Sequence, residues 1–298
     1  MQLVWRAIGL GILALPLVAY SRGYWQRPPR ANLDRVLFEG VSYRREVHSR
    51  PRPLMIHTVE IDLGATGVDV LVTPGNPPLG NLEPDNLEVD ARTTSEFLEE
   101  FQLQVAINAN FFYPFREKTP WDYYPHSGDR ANAVGLAISR GQIYSPGQED
   151  WPALCFGGDG HARIEGGGTC PEGTLHGVAG NQAIVENGQP TNLPKKGSKK
   201  YTLYGRMAVG IDESGEKLWI IAVDDKQPGY SEGMALAELA NIFVELGASA
   251  AVNLDGGGSV TLAIDDGNGN AEILNALIHA KIPMKERPIA NHIGFYAR

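Results

Sequence analysis

Three consecutive glycines near the carboxyl end constrain the fold of this chain more than any other feature. An apolar run, 250–254, ends in Asp255, and the glycines occupy 256–258. Glycine loses more backbone entropy on folding than any other residue, so three together indicate main chain that approaches another group closely or adopts angles that a β-carbon forbids. Such a loop places polar side chains beside bare N–H groups, which suits an anionic or sugar-like ligand. A tight hairpin between the flanking strands is the simpler alternative.

Composition and charge narrow the class of protein. The 298 residues are 43% hydrophobic and 20% charged, which is typical of a globular chain with an ample core. The formal net charge is −9. A nucleic-acid partner is therefore not expected, because such proteins need a basic surface that neutralises phosphates.

The amino-terminal segment differs from the rest of the chain. An uncharged run, 7–20, precedes a stretch rich in arginine and proline, 22–50. The run is shorter than the about 20 residues that span a bilayer and is typical of a signal-peptide core. We predict export to the periplasm or cell exterior, with 1–21 as a signal peptide or as an uncleaved membrane anchor through residues 5–20. Residues 22–50 are predicted to be a linker, and 51–298 the functional domain.

Two cysteines fit an exported protein. Cys155 and Cys170 flank a glycine-rich segment that is predicted to form a hairpin. A disulfide between them would stabilise the fold by about 3 kcal/mol through the entropy of the unfolded chain. Two free thiols are the alternative. Without clustered histidines the pair does not indicate a zinc site.

Most apolar segments are short, resemble strands and are separated by turns. Two helices are predicted, one over 94–102 and one over 233–246, the second capped by Ser231 and ended by Gly247. These elements predict an α+β fold with a large mixed, mostly antiparallel sheet and few helices.

One β-α-β unit is predicted to carry the site. Strands over 217–224 and 249–254 flank the second helix, and a right-handed crossover makes them parallel if both lie in one sheet. Asp224 ends the first strand and Asp255 follows the second. Both carboxylates would then emerge at the sheet edge where open α/β sheets bind ligands.

Other polar residues stand at the ends of apolar strands. Asn108 and Asn110 can hold sugar hydroxyls, and the two phenylalanines that follow can stack on a sugar ring; turn formation and core packing are the alternatives. Arg206 opens one strand and Arg287 precedes another. An arginine that points into a site formed where several strands end would bind phosphate through paired hydrogen bonds. Solvent exposure of Arg206 and Arg287 is the alternative. The turn at 265–270 lacks the glycine and glutamate of a calcium loop.

Several of these segments, in this order, resemble the phosphodiester glycosidase family. The most specific is the string Asn-Leu-Asp-Gly-Gly-Gly-Ser, 253–259. Asn110 stands where many members have glycine, and Asp225 with Lys226 replaces an expected Gly-Arg pair. The matching segments, which together span about 100–298, are 107–112, 206–210, 223–233, 253–259 and the closing strand 287–291.

The resemblance implies hydrolysis of the bond between a sugar's anomeric carbon and a phosphate that is also esterified elsewhere. Asp255 would act at the anomeric centre, with Asp224 as a second carboxylate or an orienting group. Arginines and backbone amides would stabilise the departing phosphate. The substrate-binding residues would be Asn108, Asn110, Arg206, Ser231, Asn253, Gly256, Gly257, Gly258, Ser259 and Arg287.

The leading hypothesis is an exported hydrolase that cleaves a sugar-1-phosphodiester in an envelope or exopolysaccharide glycan without a cofactor. A non-catalytic glycan-binding or envelope-assembly protein is the first alternative. The second is a metal-dependent phosphodiesterase, in which Asp224, Asp225 and Asp255 would surround a divalent cation.

Overall fold

The computed structural model describes residues 21–76 and 88–298. All but the last residue of the predicted signal peptide or anchor, 1–21, lie outside these ranges. Residues 21–26 are helical. In the described ranges no helix is long and apolar enough to cross a membrane.

Strands dominate the described chain. The helices are α1 (Thr94–Phe101) and α2 (Leu236–Leu246), and a 3₁₀ turn spans Gly257–Ser259. In chain order the strands are β1 (Leu33–Phe38), β2 (Val41–His48), β3 (Leu54–Asp62), β4 (Asp69–Val72), β5 (Val89–Asp90), β6 (Val105–Asn108), β7 (Phe112–Tyr113), β8 (Arg116–Glu117), β9 (Tyr123–Tyr124), β10 (Arg130–Ala133), β11 (Ala137–Ser139), β12 (Gln142–Ser145), β13 (Ala153–Gly157), β14 (Ala162–Glu165), β15 (Thr174–Ala179), β16 (Gln182–Glu186), β17 (Gln189–Pro190), β18 (Arg206–Ile211), β19 (Lys217–Val223), β20 (Ala250–Asn253), β21 (Leu262–Asp265), β22 (Ala271–Ile273), β23 (Ile278–His279), β24 (Ile282–Pro283) and β25 (His292–Tyr296).

The strands form several sheets instead of one, and all the pairings between these strands are antiparallel. The largest sheet has eight strands in the order β1-β2-β3-β19-β18-β20-β16-β17. Two five-stranded sheets have the orders β22-β21-β6-β25-β4 and β12-β11-β15-β13-β14, and smaller groups are β5-β10-β7, β8-β9 and β23-β24. The fold is therefore α+β and mainly β, with few helices, as the sequence predicts. The predicted large mixed sheet is wrong in one respect, because the described strands form several sheets that contain only antiparallel pairs.

Alternating side chains place the main core between the sheets. On β19, Leu218, Ile220 and Ala222 enter a core shared with β4, β6 and β25 of the facing five-stranded sheet. Trp219 and Ile221 point the other way and pack against Leu239, Ala240 and Phe243 of α2. The period of two along a strand thus explains why a continuous apolar run covers both faces of the central sheet.

Each helix covers the outer face of one sheet. α1 begins with a capping box, in which the Thr93 hydroxyl accepts from the Glu96 N–H (3.1 Å) and the Glu96 carboxylate accepts from the Thr93 N–H (2.7 Å). Its Phe97 and Leu98 pack on the five-stranded sheet that contains β6. α2 ends at Gly247, in the left-handed conformation with φ 92°, as predicted.

The second helix starts later than predicted. The sequence favours Gly233 as its first residue and Ser231 as its cap, but α2 begins at Leu236 with Ala235 as N-cap. The reason is that Met234 exchanges backbone hydrogen bonds with Tyr204, which holds it outside the helix. The Ser231 hydroxyl instead donates to the Asp224 carbonyl oxygen at 2.6 Å.

The β-α-β prediction does not describe the pairing that the structure has. β19 and β20 both pair antiparallel to β18, so they run in the same direction but β18 lies between them. No parallel ladder joins them. Because β18 runs in the opposite direction, its first residue, Arg206, lies at the edge of the sheet where β19 ends.

The segment predicted as a linker, 22–50, contributes strands to the central sheet. β1 pairs with β2, and β2 pairs with β3 along its whole length from Val41 to His48. Val41 and Tyr43 are buried in the main core. The boundary expected at residue 50 therefore does not coincide with an edge of the fold.

The two cysteines form the predicted disulfide. Cys155 on β13 is bonded to Cys170, with their Cα atoms 5.7 Å apart and a sequence separation of 15. The bond ties the loop before β15 to β13, the neighbouring strand, where Cys155 packs with Leu136 and Ile138.

Replacing both cysteines by serine should lower the free energy of unfolding by about 3 kcal/mol, the chain-entropy value for a loop of this length. Denaturant titration of the double variant measures the loss. Wild-type protein titrated under reducing conditions is the matched control and should lose a similar amount. A double variant as stable as the oxidised wild type would contradict the prediction.

Candidate active site

Residues from distant parts of the chain line one cleft of about 400 Å³ at the end of the central sheet. Asp255 and Gly256 come from the glycine-rich loop, and Arg206 from the start of β18. The lining consists of Phe111, Phe112, Phe115, Asn181, Thr202, Tyr204, Arg206, Asn253, Asp255, Gly256 and Arg287.

Close packing explains the three glycines. A β-carbon on Gly256 would stand 2.5 Å from the Gly205 carbonyl oxygen. One on Gly257, whose φ is 59°, would collide with the Tyr204 ring, and one on Gly258 with the Arg287 guanidinium. The backbone of the loop therefore approaches three separate groups at distances that only glycine permits.

One buried side chain holds both ends of the glycine loop. The Asn108 Nδ2 donates to the Asp255 carbonyl oxygen at 2.7 Å, and its Oδ1 accepts from the Thr261 N–H at 3.1 Å. Asn108 is fully buried and does not line the cleft. Its side chain positions the loop and is not placed to contact a ligand.

Asp255 is the carboxylate of the cleft. Its Oδ1 accepts from the Gly256 N–H at 2.9 Å, and its side chain is also hydrogen-bonded to Ser259. Burial, the largest influence, raises the pKa of Asp255 to about 6, against the lowering effects of Ser259 and of the positive charge of Arg287. The group is therefore close to half ionised near pH 6.

Arg287 is held on the other side of the same loop. Its guanidinium contacts the Glu117 carboxylate and donates to the Ser259 hydroxyl at 3.2 Å, while its Nε lies 3.3 Å from the Nδ1 of His279. Burial opposes ionisation of Glu117, but Arg287 outweighs it and lowers the Glu117 pKa. These contacts hold the guanidinium in place through three of its five N–H groups. The other two make no hydrogen bond within the described chain.

Arg206 faces the cleft without a carboxylate partner. Its Nε donates to the Met234 carbonyl oxygen at 2.9 Å, and its Nη2 to that of Thr202 at 3.1 Å. The half-buried side chain makes no ion pair within the described chain. Burial lowers the pKa of Arg206, although the charge of nearby Asp225 raises it. A desolvated cation held in this way favours an anionic ligand.

Asn253 lines the cleft and carries a buried acceptor without a partner in the described chain. Its Nδ2 donates to the Asn181 Oδ1 at 2.8 Å and to the Leu254 carbonyl oxygen at 3.0 Å. Its Oδ1 is buried and has no hydrogen-bond partner. A buried acceptor without a partner costs free energy, so a hydroxyl or amide donor from a ligand would be stabilising here.

Other residues of the predicted set lie outside the lining. Asp224 is buried, and its carboxylate accepts from the Asn275 amide (3.1 Å) and the Ala276 N–H (3.0 Å) and lies 3.2 Å from the Nε2 of His57. Asn275 also donates to the Val260 carbonyl oxygen, which places Asp224 behind the glycine loop. The two predicted carboxylates thus do not face one cavity.

Two further predicted residues have their hydrogen bonds used by the protein. The Asn110 amide donates to the carbonyl oxygens of Val134 and Leu136, both at 3.0 Å, and its Oδ1 accepts from Asn291. Ser231 bonds to main chain on both sides, since it also accepts from the Met55 N–H. Gly257, Gly258 and Ser259 form the turn beneath the lining.

Sequence reasoning missed several lining residues. Asn181, Thr202 and Tyr204 lie in segments without strong patterns, and the only local signal for them is the position of Tyr204 two residues before Arg206. The sequence predicts stacking for Phe111 and Phe112 but not for Phe115. The loop that carries it reaches the cleft through tertiary packing, with Phe115 beneath the Arg287 guanidinium at 4.6 Å.

Among the residues that the structure describes, no group of three or more histidine, cysteine, aspartate or glutamate side chains is arranged to hold a metal ion. Asp224 lies behind the loop, whereas Asp225 is buried next to Gly205 with its Oδ2 unpartnered. The three carboxylates considered for a divalent cation are therefore in different environments.

The fold is that of a mainly-β protein, and its cleft combines one carboxylate, two guanidinium groups, an asparagine side chain pair and aromatic rings. The chain belongs to the phosphodiester glycosidase family, whose model matches residues 101–296. Membership indicates a glycosidase-type hydrolase with phosphodiester glycosidase-like function.

Solved structures share this fold. A hypothetical protein from Synechocystis is 15% identical with a TM-score of 0.62, and the match covers 92% of this chain and 64% of that one. The catalytic domain of zebrafish N-acetylglucosamine-1-phosphodiester alpha-N-acetylglucosaminidase, auto-inhibited by its pro-peptide, is 19% identical with a TM-score of 0.59 and covers 92% and 87%. No curated protein matches the sequence significantly.

The Asp255 carboxyl should titrate near pH 6 in the folded protein, well above an ordinary aspartate. Ser259→Ala should raise this pKa further, because it removes a hydrogen bond that favours the ionised form. Side-chain carboxyl NMR measures both values. Ser139→Ala, which removes another buried hydroxyl that donates to the Val72 carbonyl oxygen, is the control and should leave the Asp255 pKa unchanged. A Ser259→Ala variant with a lowered pKa would contradict the assignment.

Proposed function

We propose that this protein is an exported hydrolase that cleaves the bond between the anomeric carbon of a sugar and a phosphodiester phosphate in an envelope or exopolysaccharide glycan. One observation carries the proposal: the half-buried Arg206, which has no ion-pair partner in the described chain, faces the same cleft as the carboxylate of Asp255. A sugar phosphodiester supplies the two charges that this pair requires, an anion for the arginine and a developing cation for the carboxylate.

The chemistry needs only one carboxylate at the reacting carbon. When the bond breaks, the phosphate leaves as a stabilised phosphomonoester, so protonation of the leaving group matters less than for an ordinary glycoside. Positive charge develops at the anomeric carbon, where ionised Asp255 would act as nucleophile, as base towards water or as an electrostatic partner. This explains how a site can work although Asp224 lies behind the loop.

The cations would stabilise the departing phosphate. Arg206 is fixed by two carbonyl oxygens, and Arg287 by Glu117 and Ser259, so neither has to reorganise as negative charge accumulates. The Asp255 side chain is linked to Arg287 through Ser259. The carboxylate and the phosphate-binding groups would therefore keep a constant spacing during the reaction.

Sugar recognition would come from the remaining lining. The unpartnered Oδ1 of Asn253 would accept a hydrogen bond from a sugar hydroxyl. Phe111, Phe112 and Tyr204 offer ring faces or edges against which a pyranose can pack. Export is supported by the disulfide between Cys155 and Cys170 and by the apolar run over 7–20.

Asp255→Asn should lower kcat/KM for a sugar-1-phosphodiester by about 1,000-fold or more, because the reacting carbon loses its carboxylate. Burial disfavours the ionised form of Asp255 in the folded state, so the wild-type protein loses stability as pH rises from about 4 to 6. The variant lacks this penalty and should be at least as stable as wild type at pH 8, which separates lost chemistry from lost folding.

Hydrolysis in isotope-labelled water identifies the bond that breaks. Label in the sugar supports a glycosidase. Label in the phosphate, with activity lost on addition of EDTA, would replace the proposal with a metal-dependent phosphodiesterase. Binding without turnover of any member of a sugar-1-phosphodiester panel would indicate a glycan-binding protein.

Arg206→Met should lower kcat/KM by about 100-fold, the usual effect of removing one preorganised donor to developing negative charge. Arg206→Lys should recover only part of this loss, because an ammonium group cannot reproduce the planar fork. Arg163→Met, which removes an exposed arginine paired with Asp159, is the matched control and should retain wild-type rates. Equal rates for Arg206→Met and wild type would exclude Arg206 from phosphate binding.

A further inference from the structure

Four of the chain's nine lysines lie within six consecutive residues, 195–200. We call Lys195, Lys196, Lys199 and Lys200 the lysine loop. The chain as a whole is acidic, with 35 aspartate and glutamate residues against 26 lysine and arginine residues. No acidic residue occurs between Glu186 and Asp212. The positive charge of this segment is therefore concentrated in sequence and is not neutralised by its neighbours.

The lysine loop is exposed and lacks ion-pair partners. All four side chains are exposed to solvent, and none forms a salt bridge within the ranges that the structure describes. Other exposed basic side chains do form ion pairs, as Arg44 does with Asp34 and Arg163 with Asp159. The positive charges of the lysine loop are therefore not neutralised by ion pairs within the described chain.

Both ends of the segment that carries the lysine loop are fixed. Before it, Leu193 is buried against the α2 side of the central sheet. After it, Tyr204 exchanges backbone hydrogen bonds with Met234 and lies against the glycine loop. The lysines therefore project from a short stretch whose position next to the cleft is set by packing.

A second, smaller cavity shares lining residues with the cleft and is also lined by one lysine of the lysine loop. This cavity, of about 80 Å³, is lined by Lys200, Thr202 and Arg206 among others. Thr202 and Arg206 also line the main cleft. Positive charge consequently continues from Arg206, where the proposed scissile phosphate would bind, through Lys200 to the rest of the lysine loop.

We propose that the substrate is a polymer with repeated sugar-1-phosphodiester units, in which one phosphate occupies the cleft while phosphates of neighbouring units bind the lysine loop. The inference rests on the proposed function. Phosphates at regular intervals along a chain match a row of unpaired cations that begins at the reacting site, and the attraction would raise local substrate concentration.

The composition of the loop favours a soluble linear polyanion over a lipid surface. Peripheral membrane binding combines positive charge with apolar side chains that enter the interface. Residues 195–200 comprise only lysine, glycine and serine. Electrostatic contacts to a flexible polyanion require no such apolar group, since release of condensed counterions provides the free energy.

The direct test measures binding of long-chain inorganic polyphosphate by wild type and by a variant with all four lysines of the loop changed to glutamine. The slope of log affinity against log salt concentration should fall by about 3 in magnitude, near 0.7 for each phosphate that the variant no longer neutralises. The control variant has the same charge change, with Arg44, Arg140, Arg163 and Lys217 replaced by glutamine. These four residues line neither cavity, so the control should keep the wild-type slope. Equal slopes for the two variants would overturn the proposal.

The kinetic test compares a sugar-1-phosphodiester polymer with a single-unit diester of the same sugar. The ratio of kcat/KM on polymer to that on the single unit should fall at least 10-fold in the lysine-loop variant and stay constant in the control. Phosphatidylglycerol vesicles are the counter-probe: lysine-dependent vesicle binding together with an unchanged kinetic ratio would assign the loop to a membrane surface and overturn the proposal. If no diester is hydrolysed, the proposed function fails, whereas polyphosphate binding still decides the role of the lysine loop.

Discussion

The arrangement of the site depends on how closely main chain packs around residues 256–258. Each glycine there lies against a different group, and Asn108 ties the two ends of the loop together with one hydrogen bond from its amide and one to its carbonyl oxygen. Because this clamp is buried and bonds one end of the loop through its Nδ2 and the other through its Oδ1, the loop has little freedom to relax. The loop fixes the positions of Asp255 and Ser259. Because Ser259 is hydrogen-bonded to both Asp255 and Arg287, the positions of these two side chains are coupled.

The charges at the site are divided between paired and unpaired groups. Arg287 contacts Glu117, and Asp224 is surrounded by donors behind the loop, so both contribute to the framework. Arg206 and the lysine loop have no ion-pair partners in the described chain. The half-buried Arg206 carries a desolvation cost that the solvent-exposed lysine loop does not, and a protein tolerates such a cost where a ligand completes the interaction.

Part of the site could be predicted from the sequence because some structural requirements depend only on neighbouring residues. A glycine run after an apolar strand indicates close approach wherever the strand lies, and Arg206 and Asp255 stand at strand ends that the apolar pattern defines. Asp224 shows where this reasoning stops. It ends a strand as Asp255 does, but its direction depends on Asn275 and Ala276, which are about fifty residues away in sequence. Asn110 and Ser231 were misjudged for the same reason, since long-range hydrogen bonds use the groups that a ligand would need.

The sequence by itself determined the family, the mainly antiparallel α+β class and the end of α2 at Gly247, and it favoured a disulfide between Cys155 and Cys170 over two free thiols without deciding between them. These follow from residue types and spacings that act over a few neighbours. Only the tertiary structure decided that β18 separates β19 from β20, that residues 33–48 belong to the central sheet, and that Asp255 faces the cleft while Asp224 does not. Strand order and side-chain direction are settled by packing between segments far apart in the chain, and no local pattern encodes that packing.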